Sequence, residues 1–173
     1  MRRDAFHLAG SNDMDLLKTA ITDFLDEQKV SYRVRYHSKP VFTSEEAARQ
    51  RGVRLSQVVK TMLLADRDDV LVAVIPSHRR LDVKKLKKIS GRKNLQFMDK
   101  GAIEMKTGLI VGAVAPIGPI LGGIPIFVDP SVFDEEWLDI SSGDPNAGLE
   151  LQRDDLRKLL KEATFVEIVK ADG

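Results

Sequence analysis

Leu55-Ser-Gln-Val-Val-Lys-Thr-Met-Leu-Leu-Ala65, then Asp66-Arg-Asp-Asp69, then Val70-Leu-Val-Ala-Val-Ile75, places two short valine-rich apolar runs on either side of a charged tetrapeptide. Runs of this length and composition, bounded by polar residues, predict strands, and the short charged connection predicts an antiparallel hairpin. Lys60 is the one charge inside the first run. Alternate strand residues share a face, so Lys60 lies on the side of Val58 and Met62. An ammonium group is costly there unless it snorkels to water or meets an anion. Two readings follow: a lysine that grips a phosphate or a polarised carbonyl, or a strand-end lysine reaching solvent.

Outward from the hairpin the chain alternates irregularly. Leu17, Ile21, Phe24 and Leu25 fall at helical spacing within Asp15 to Gln28, and Tyr32 to Tyr36 reads as a strand. Thr43-Ser-Glu-Glu46 fits a capping box, with Thr43 as N-cap and Glu46 reaching back to it, for a helix ending at Gly52. Asp82 caps a basic helix that is expected to bury Val83, Leu86 and Ile89 and to stop at Gly91. A short helix follows Asp99 as far as Lys106. Ile124 to Val128 and Val166 to Val169 read as strands around a helix at Asp154 to Glu162. Hairpin-linked strands mixed with helices predict an α/β (α+β) class: one mixed, mostly antiparallel, barrel-like sheet flanked by helices. Residues 1–173 are expected to be a single domain, with 1–12 a flexible N-terminal extension.

The chain has 173 residues, enough to bury a core, and a formal net charge of +1. No apolar run approaches the roughly 20 residues of a membrane span. Met1 to Gly10 has too little apolar length for a signal peptide, so a cytoplasmic protein is expected; separately, a monomer is expected. Cysteine is absent, which excludes disulfides, a thiol nucleophile and cysteine metal sites. The near-zero charge is unevenly spread. Arg79, Arg80, Lys84, Lys85, Lys87, Lys88, Arg92 and Lys93 are opposed within their segment by Asp82 alone. Such a block is either the footprint of a polyanion partner or a solvated helix face.

Thr107-Gly-Leu-Ile-Val-Gly-Ala-Val-Ala-Pro-Ile-Gly118 is the second unusual stretch, with Gly108, Gly112 and Pro116 four residues apart and Gly118 close behind. A loop of that composition offers backbone N–H groups to a carbonyl or phosphate oxygen, or is a tight structural loop at a sheet rim. It is neither a Walker loop nor the dinucleotide Gly-x-Gly-x-x-Gly. Ile140-Ser-Ser-Gly-Asp-Pro-Asn-Ala147 reads as a polar turn whose Ser141 and Ser142 could donate to a substrate. His7, His37 and His78 lack metal-ligand spacing, and Gly-x-Ser-x-Gly is missing.

Taken together these segments resemble the YbaK/prolyl-tRNA synthetase-associated domain family of aminoacyl-tRNA deacylases, from about Tyr36 to Val169. His37-Ser-Lys-Pro-Val-Phe-Thr-Ser-Glu-Glu-Ala47 is similar to the family's lead-in to its first core helix. Gln57-Val-Val-Lys-Thr-Met-Leu-Leu64 is similar to its lysine strand, and Thr107 to Gly118 to its Gly-x-x-x-Pro loop, carried by Gly112 and Pro116. The resemblance implies a barrel-like α/β fold and trans-editing. A small mischarged amino acid (Cys, Ala or Ser) would be hydrolysed from a tRNA of the tRNA(Pro) type, without metal or cofactor.

By the same resemblance Lys60, Gly112 and Pro116 form the catalytic set: backbone donors of the loop hold the oxyanion, and Lys60 holds a terminal phosphate or the carbonyl. Thr61, Gly108, Gly118, Ser142, Gly143 and Asn146 contact substrate. Arg79, Arg80, Lys84, Lys85, Lys87 and Lys88 meet tRNA phosphates, and an aminoacyl-tRNA synthetase is a further partner. Thr61 after the lysine is YbaK-like, whereas Asp144-Pro-Asn-Ala147 replaces the basic turn of that branch, so the amino acid stays open. Two other readings stand: a non-catalytic module that binds tRNA or a synthetase, and a hydrolase of small esters indifferent to the basic block.

Overall fold

The hairpin is the spine of the larger of two sheets. The computed structural model describes residues 4–7, 17–110 and 113–172. Strands β1 (Asp4–His7), β2 (Tyr32–Tyr36), β3 (Val59–Asp66), β4 (Asp69–Pro76), β5 (Gln96–Phe97), β6 (Ile126–Val128), β7 (Trp137–Ser141), β8 (Ala147–Gln152) and β9 (Thr164–Phe165) form them. Helices α1 (Ala20–Glu27), α2 (Ser44–Arg51), α3 (Val83–Ser90), α4 (Lys100–Thr107) and α5 (Arg153–Leu159) are interspersed. One sheet has the order β1-β2-β8-β7 and the other β5-β3-β4-β6-β9. β6 runs parallel to both β4 and β9; the remaining named pairings are antiparallel. A parallel bridge between Val58 and Asp139 joins the sheets. The barrel-like arrangement expected takes the form of two sheets that meet at one corner, without closure among the described residues.

β3 and β4 pair along their full length, from Val59↔Pro76 to Asp66↔Asp69, and Arg67 takes a left-handed φ of 57° in the two-residue turn. Alternation divides β3 between two cores. Val59 and Leu63 face the space between the sheets, with Val72, Val74 and Leu138. Leu64, with Met62 against it, faces a second core that Leu86 of α3 seals. Asp129 closes that side by accepting from the backbone N–H of Ile168 (2.7 Å) and Val169 (3.0 Å).

Several sequence expectations shift in detail. Thr43 does cap α2, but Glu46 accepts from the N–H of Phe42 (3.4 Å) rather than from that of Thr43. Gly52 and Gly91 end their helices in the left-handed region as expected. On α3 only Leu86 is fully buried; Val83 is half-buried and Ile89 is 39 % exposed, because the helix meets the sheet along a narrow stripe. The C-terminal strand is Thr164–Phe165, not Val166 to Val169, whose backbone is taken by Asp129 and a bridge to Leu81. Within residues 1–12, expected as an extension, Asp4–His7 pair with β2, and the remainder lies outside the described residues. No helix among the described residues is long and apolar enough to cross a membrane.

Candidate functional site

Among the described residues β3 keeps a free edge beyond its short pairing with β5, and a cleft opens along it. β5 pairs with β3 only at Leu64 and Ala65, so the ladder stops short of Thr61. Met98 donates to the carbonyl of Leu63 (3.0 Å), which fixes that residue's backbone polar groups outward. The two-residue period turns those of Thr61 the same way. A cleft of about 330 Å³ lies along this edge, walled by β3, the start of α2, Met98, Ile103, Val114 and the end of β7. Pockets that hold small molecules start at about this size.

Lys60 stands at its rim. It is exposed, so its ammonium group stays in water, the geometry expected of a lysine that reaches solvent. The strand period puts it on the sheet face that carries α3, while Thr61 points inward. The Thr61 hydroxyl is buried without a hydrogen-bond partner among the described residues. Phe42 (52 % exposed) and Phe97 (58 % exposed) also border the opening.

Beneath lies an ion pair that sequence reading missed. Arg51, 4 % exposed, donates through Nη1 to Oδ1 of the wholly buried Asp139. Gly148 on β8 makes room for it, since a Cβ there would overlap the guanidinium. Burial pushes Asp139 up to about 6, against the attraction of Arg51. Arg51 Nε and Asp139 Oδ2 are buried and unpartnered among the described residues. Next to the pair, buried Glu150 takes Arg33 and Arg35, each at 3.2 Å. In sequence Arg51 reads as a cation suiting a helix C-terminus. The only hint was Asp139, a carboxylate in the middle of a strand.

Other predicted site residues fall elsewhere. Gly112 lies outside the described residues. Pro116 is buried, and having no N–H it cannot be an oxyanion donor; its loop reaches the cleft through Val114. Gly108 is the left-handed C-cap of α4. Gly118 lines a second cleft of about 980 Å³ beside α5. The Ser142 hydroxyl is fully buried and holds its own turn, donating to the carbonyl of Ala147 (2.7 Å) and accepting from the N–H of Asp144 (3.1 Å). Gly143 is not among the cleft residues, and a Cβ on it would meet Ile21 and Thr19. Asn146 is exposed beside Asp144, and its carbonyl accepts from the N–H of His37 (3.0 Å).

The basic block is split. Lys85 pairs with Glu167 (2.8 Å), Arg79 with Asp172 (3.2 Å) and Arg92 with Asp69 (2.8 Å). Arg80, Lys84, Lys88 and Lys93 are exposed, and Lys87 is half-buried.

Residues 38–159 match the family model described as Aminoacyl-tRNA editing domain. The chain is similar to the "Putative Cys-tRNA(Pro)/Cys-tRNA(Cys) deacylase EbsC" of Enterococcus faecalis, 32% identical over 105 residues, 58% of this chain and 63% of that protein. It is also similar to the proline–tRNA ligase of Desulforamulus reducens, 33% identical over 90 residues, 52% of this chain and 16% of the ligase. The chain thus spans less than two thirds of the length of these curated relatives. Among solved structures, a hypothetical protein superposes with a TM-score of 0.77 at 26% identity, over 87% of this chain and 99% of that one. A "putative trans-editing enzyme for prolyl tRNA synthetase" superposes at 0.69 and 21% identity, over 81% of this chain and 87% of that one, a likeness of fold.

Proposed function

We propose that this chain, which belongs to the aminoacyl-tRNA editing domain family, is a trans-editing hydrolase of mischarged aminoacyl-tRNA that removes a small amino acid from a tRNA(Pro)-type acceptor end. The observation that carries the reading is the pairing of Lys60 and Thr61. Neighbours on a free strand edge, they set a cation on the rim and a hydroxyl inside one cleft.

In this reading the acyl group enters the cleft and the 3′ end of the tRNA lies over the rim. Lys60 holds a terminal phosphate as a point charge. The backbone N–H of Thr61 faces the ester carbonyl and stabilises the oxyanion, a task worth about 3–4 kcal/mol for one good donor. Water or a group of the substrate adds to the carbonyl carbon. The bond to the ribose oxygen then breaks, and that oxygen takes up the proton the attacking group loses. With water as the attacking group, the products are a free amino acid and uncharged tRNA. Exposed Arg80, Lys84 and Lys88 carry the acceptor stem, on the face to which Lys60 belongs. A synthetase partner and a cytoplasmic setting belong to the same reading.

The test is hydrolysis of a panel of mischarged tRNAs by the wild type and by Lys60→Ala. Inactivity of the wild type across the panel would remove the enzyme reading; full activity of the variant would remove the role of Lys60. The exposed cations also favour a second reading, a non-catalytic tRNA-binding module, which predicts salt-sensitive binding and no hydrolysis.

A further inference from the structure

We infer that the cleft selects an acyl group bearing a hydroxyl, of the seryl or threonyl class, over an apolar one of similar size. The inference rests on the deacylase reading and names its substrate class.

Three residues that line the cleft carry polar atoms without a partner among the described residues: the Arg51 Nε–H, the Asp139 Oδ2 and the Thr61 hydroxyl. Arg51 and Asp139 are both more than nine-tenths buried. Stranded donors and acceptors weaken a fold, and those found in native proteins call for an explanation. These are not a packing accident, because Gly148 gives up its side chain where the guanidinium lies. Val59, Leu63, Ile103 and Val114 give the cleft an apolar share of its lining, beside the polar Thr43, Ser44, Glu45, Lys60 and Ser141. A few placed polar groups in an apolar lining are how a pocket fixes one ligand.

The atoms left over define the ligand. They comprise one acceptor, one donor and one hydroxyl that is both. A ligand hydroxyl donates to Asp139 Oδ2 while accepting from Arg51 Nε–H or from Thr61. A methyl group can do neither and leaves all three stranded. A thiol is a weak donor and acceptor and ranks between them. A side-chain ammonium, beyond the α-amino group that every aminoacyl ester carries, fits less well, since Arg33, Arg35 and Arg51 outnumber Asp139 and Glu150 in this cluster. Sites built around a substrate hydroxyl reject the analogue lacking it by about 10⁴–10⁵-fold, whereas an apolar pocket discriminates a hydroxyl only weakly.

The experiment compares kcat/KM for seryl-, cysteinyl- and alanyl-tRNA with the wild type, Thr61→Val, and the paired variant Arg51→Met/Asp139→Leu, which replaces the ion pair by apolar bulk. Wild type is expected to favour seryl over alanyl ester by about 100-fold or more. Both variants should shrink that ratio at least tenfold, through loss on the seryl ester. An alanyl ester cleaved as fast as the seryl one by wild type, or a ratio unchanged in both variants, overturns the inference. Should the paired variant fail to fold, Thr61→Val decides. Should wild type cleave nothing, the deacylase reading fails by itself. Calorimetry with seryl- and alanyl-adenosine joined by a stable 3′-amide then judges the cleft alone: tighter binding of the seryl compound upholds the inference, and equal or no binding overturns it.

Discussion

Gly148 has no side chain where Arg51 places its guanidinium, so a strand of one sheet and the end of a helix share one small volume above Asp139. The cleft floor depends on that vacancy. Gly148→Ala is expected to displace Arg51 and to destabilise the protein by about 1–3 kcal/mol, the ordinary cost of overpacking. Urea unfolding measures it, with Gly143→Ala, whose added Cβ meets Thr19 and Ile21 at the start of α1 instead, as the comparison for cleft activity. Activity lost equally in both variants would detach the Gly148 effect from the cleft.

Asp139 gives the stability an unusual pH dependence. Burial raises its folded value to about 6, so between the ordinary carboxylate range near 4 and about 6 the folded state keeps a proton the unfolded chain has released. Stability therefore falls as pH rises through that window and levels off above it. At about 1.4 kcal/mol per pH unit the loss is about 3 kcal/mol. Glu135, held at about 2 by Arg54 and Ser56, works the other way, its contribution fading as pH drops below about 4.5. Unfolding of wild type and Asp139→Asn from pH 3 to 8 should show the falling limb in the wild type only. A wild type whose stability rises steadily from pH 4 to 6 would refute the assignment.

Thr61→Val separates function from folding. The hydroxyl has no partner among the described residues, so replacing it with a methyl group should leave stability unchanged or raise it by about 1 kcal/mol. Deacylation of the seryl ester should nonetheless drop at least about tenfold, in line with one lost hydrogen bond at about 1.4 kcal/mol per decade. Thermal unfolding beside single-turnover hydrolysis reads both. Ser142→Ala should do the reverse, costing about 1–3 kcal/mol because Ser142 braces the turn before β8.

Lys60→Ala should change stability by less than about 0.5 kcal/mol, since the side chain is exposed, while kcat/KM on mischarged tRNA falls. A stability loss of several kcal/mol would return Lys60 to a structural role.

Lys84→Ala and Lys88→Ala should each lower the salt dependence of tRNA binding by about one in the log–log slope. Lys85→Ala should do so less, because Glu167 already holds that ammonium group. Filter binding across a salt series distinguishes them, and equal effects from all three would mean that tRNA displaces Glu167.

What could be read from sequence was what depends on neighbours along the chain. Alternating and continuous apolar runs predict the β3–β4 hairpin, and its register follows from the length of the turn. Thr43, Asp82, Gly52 and Gly91 mark helix ends because capping is a bond between residues three or four apart. The family resemblance found the lysine strand for the same reason: it is a local signature. Tertiary structure decided the rest. Arg51 and Asp139 stand 88 positions apart, and nothing near either names the other. Whether a lysine in an apolar strand is buried depends on what packs over its face of the sheet, and Lys60 is left exposed there. The basic block looked uniform until the C-terminal segment folded back onto Arg79 and Lys85. Local patterns fix elements because their bonds close within a few residues. Sites join distant residues, and only the packed fold sets which polar atoms are left without partners.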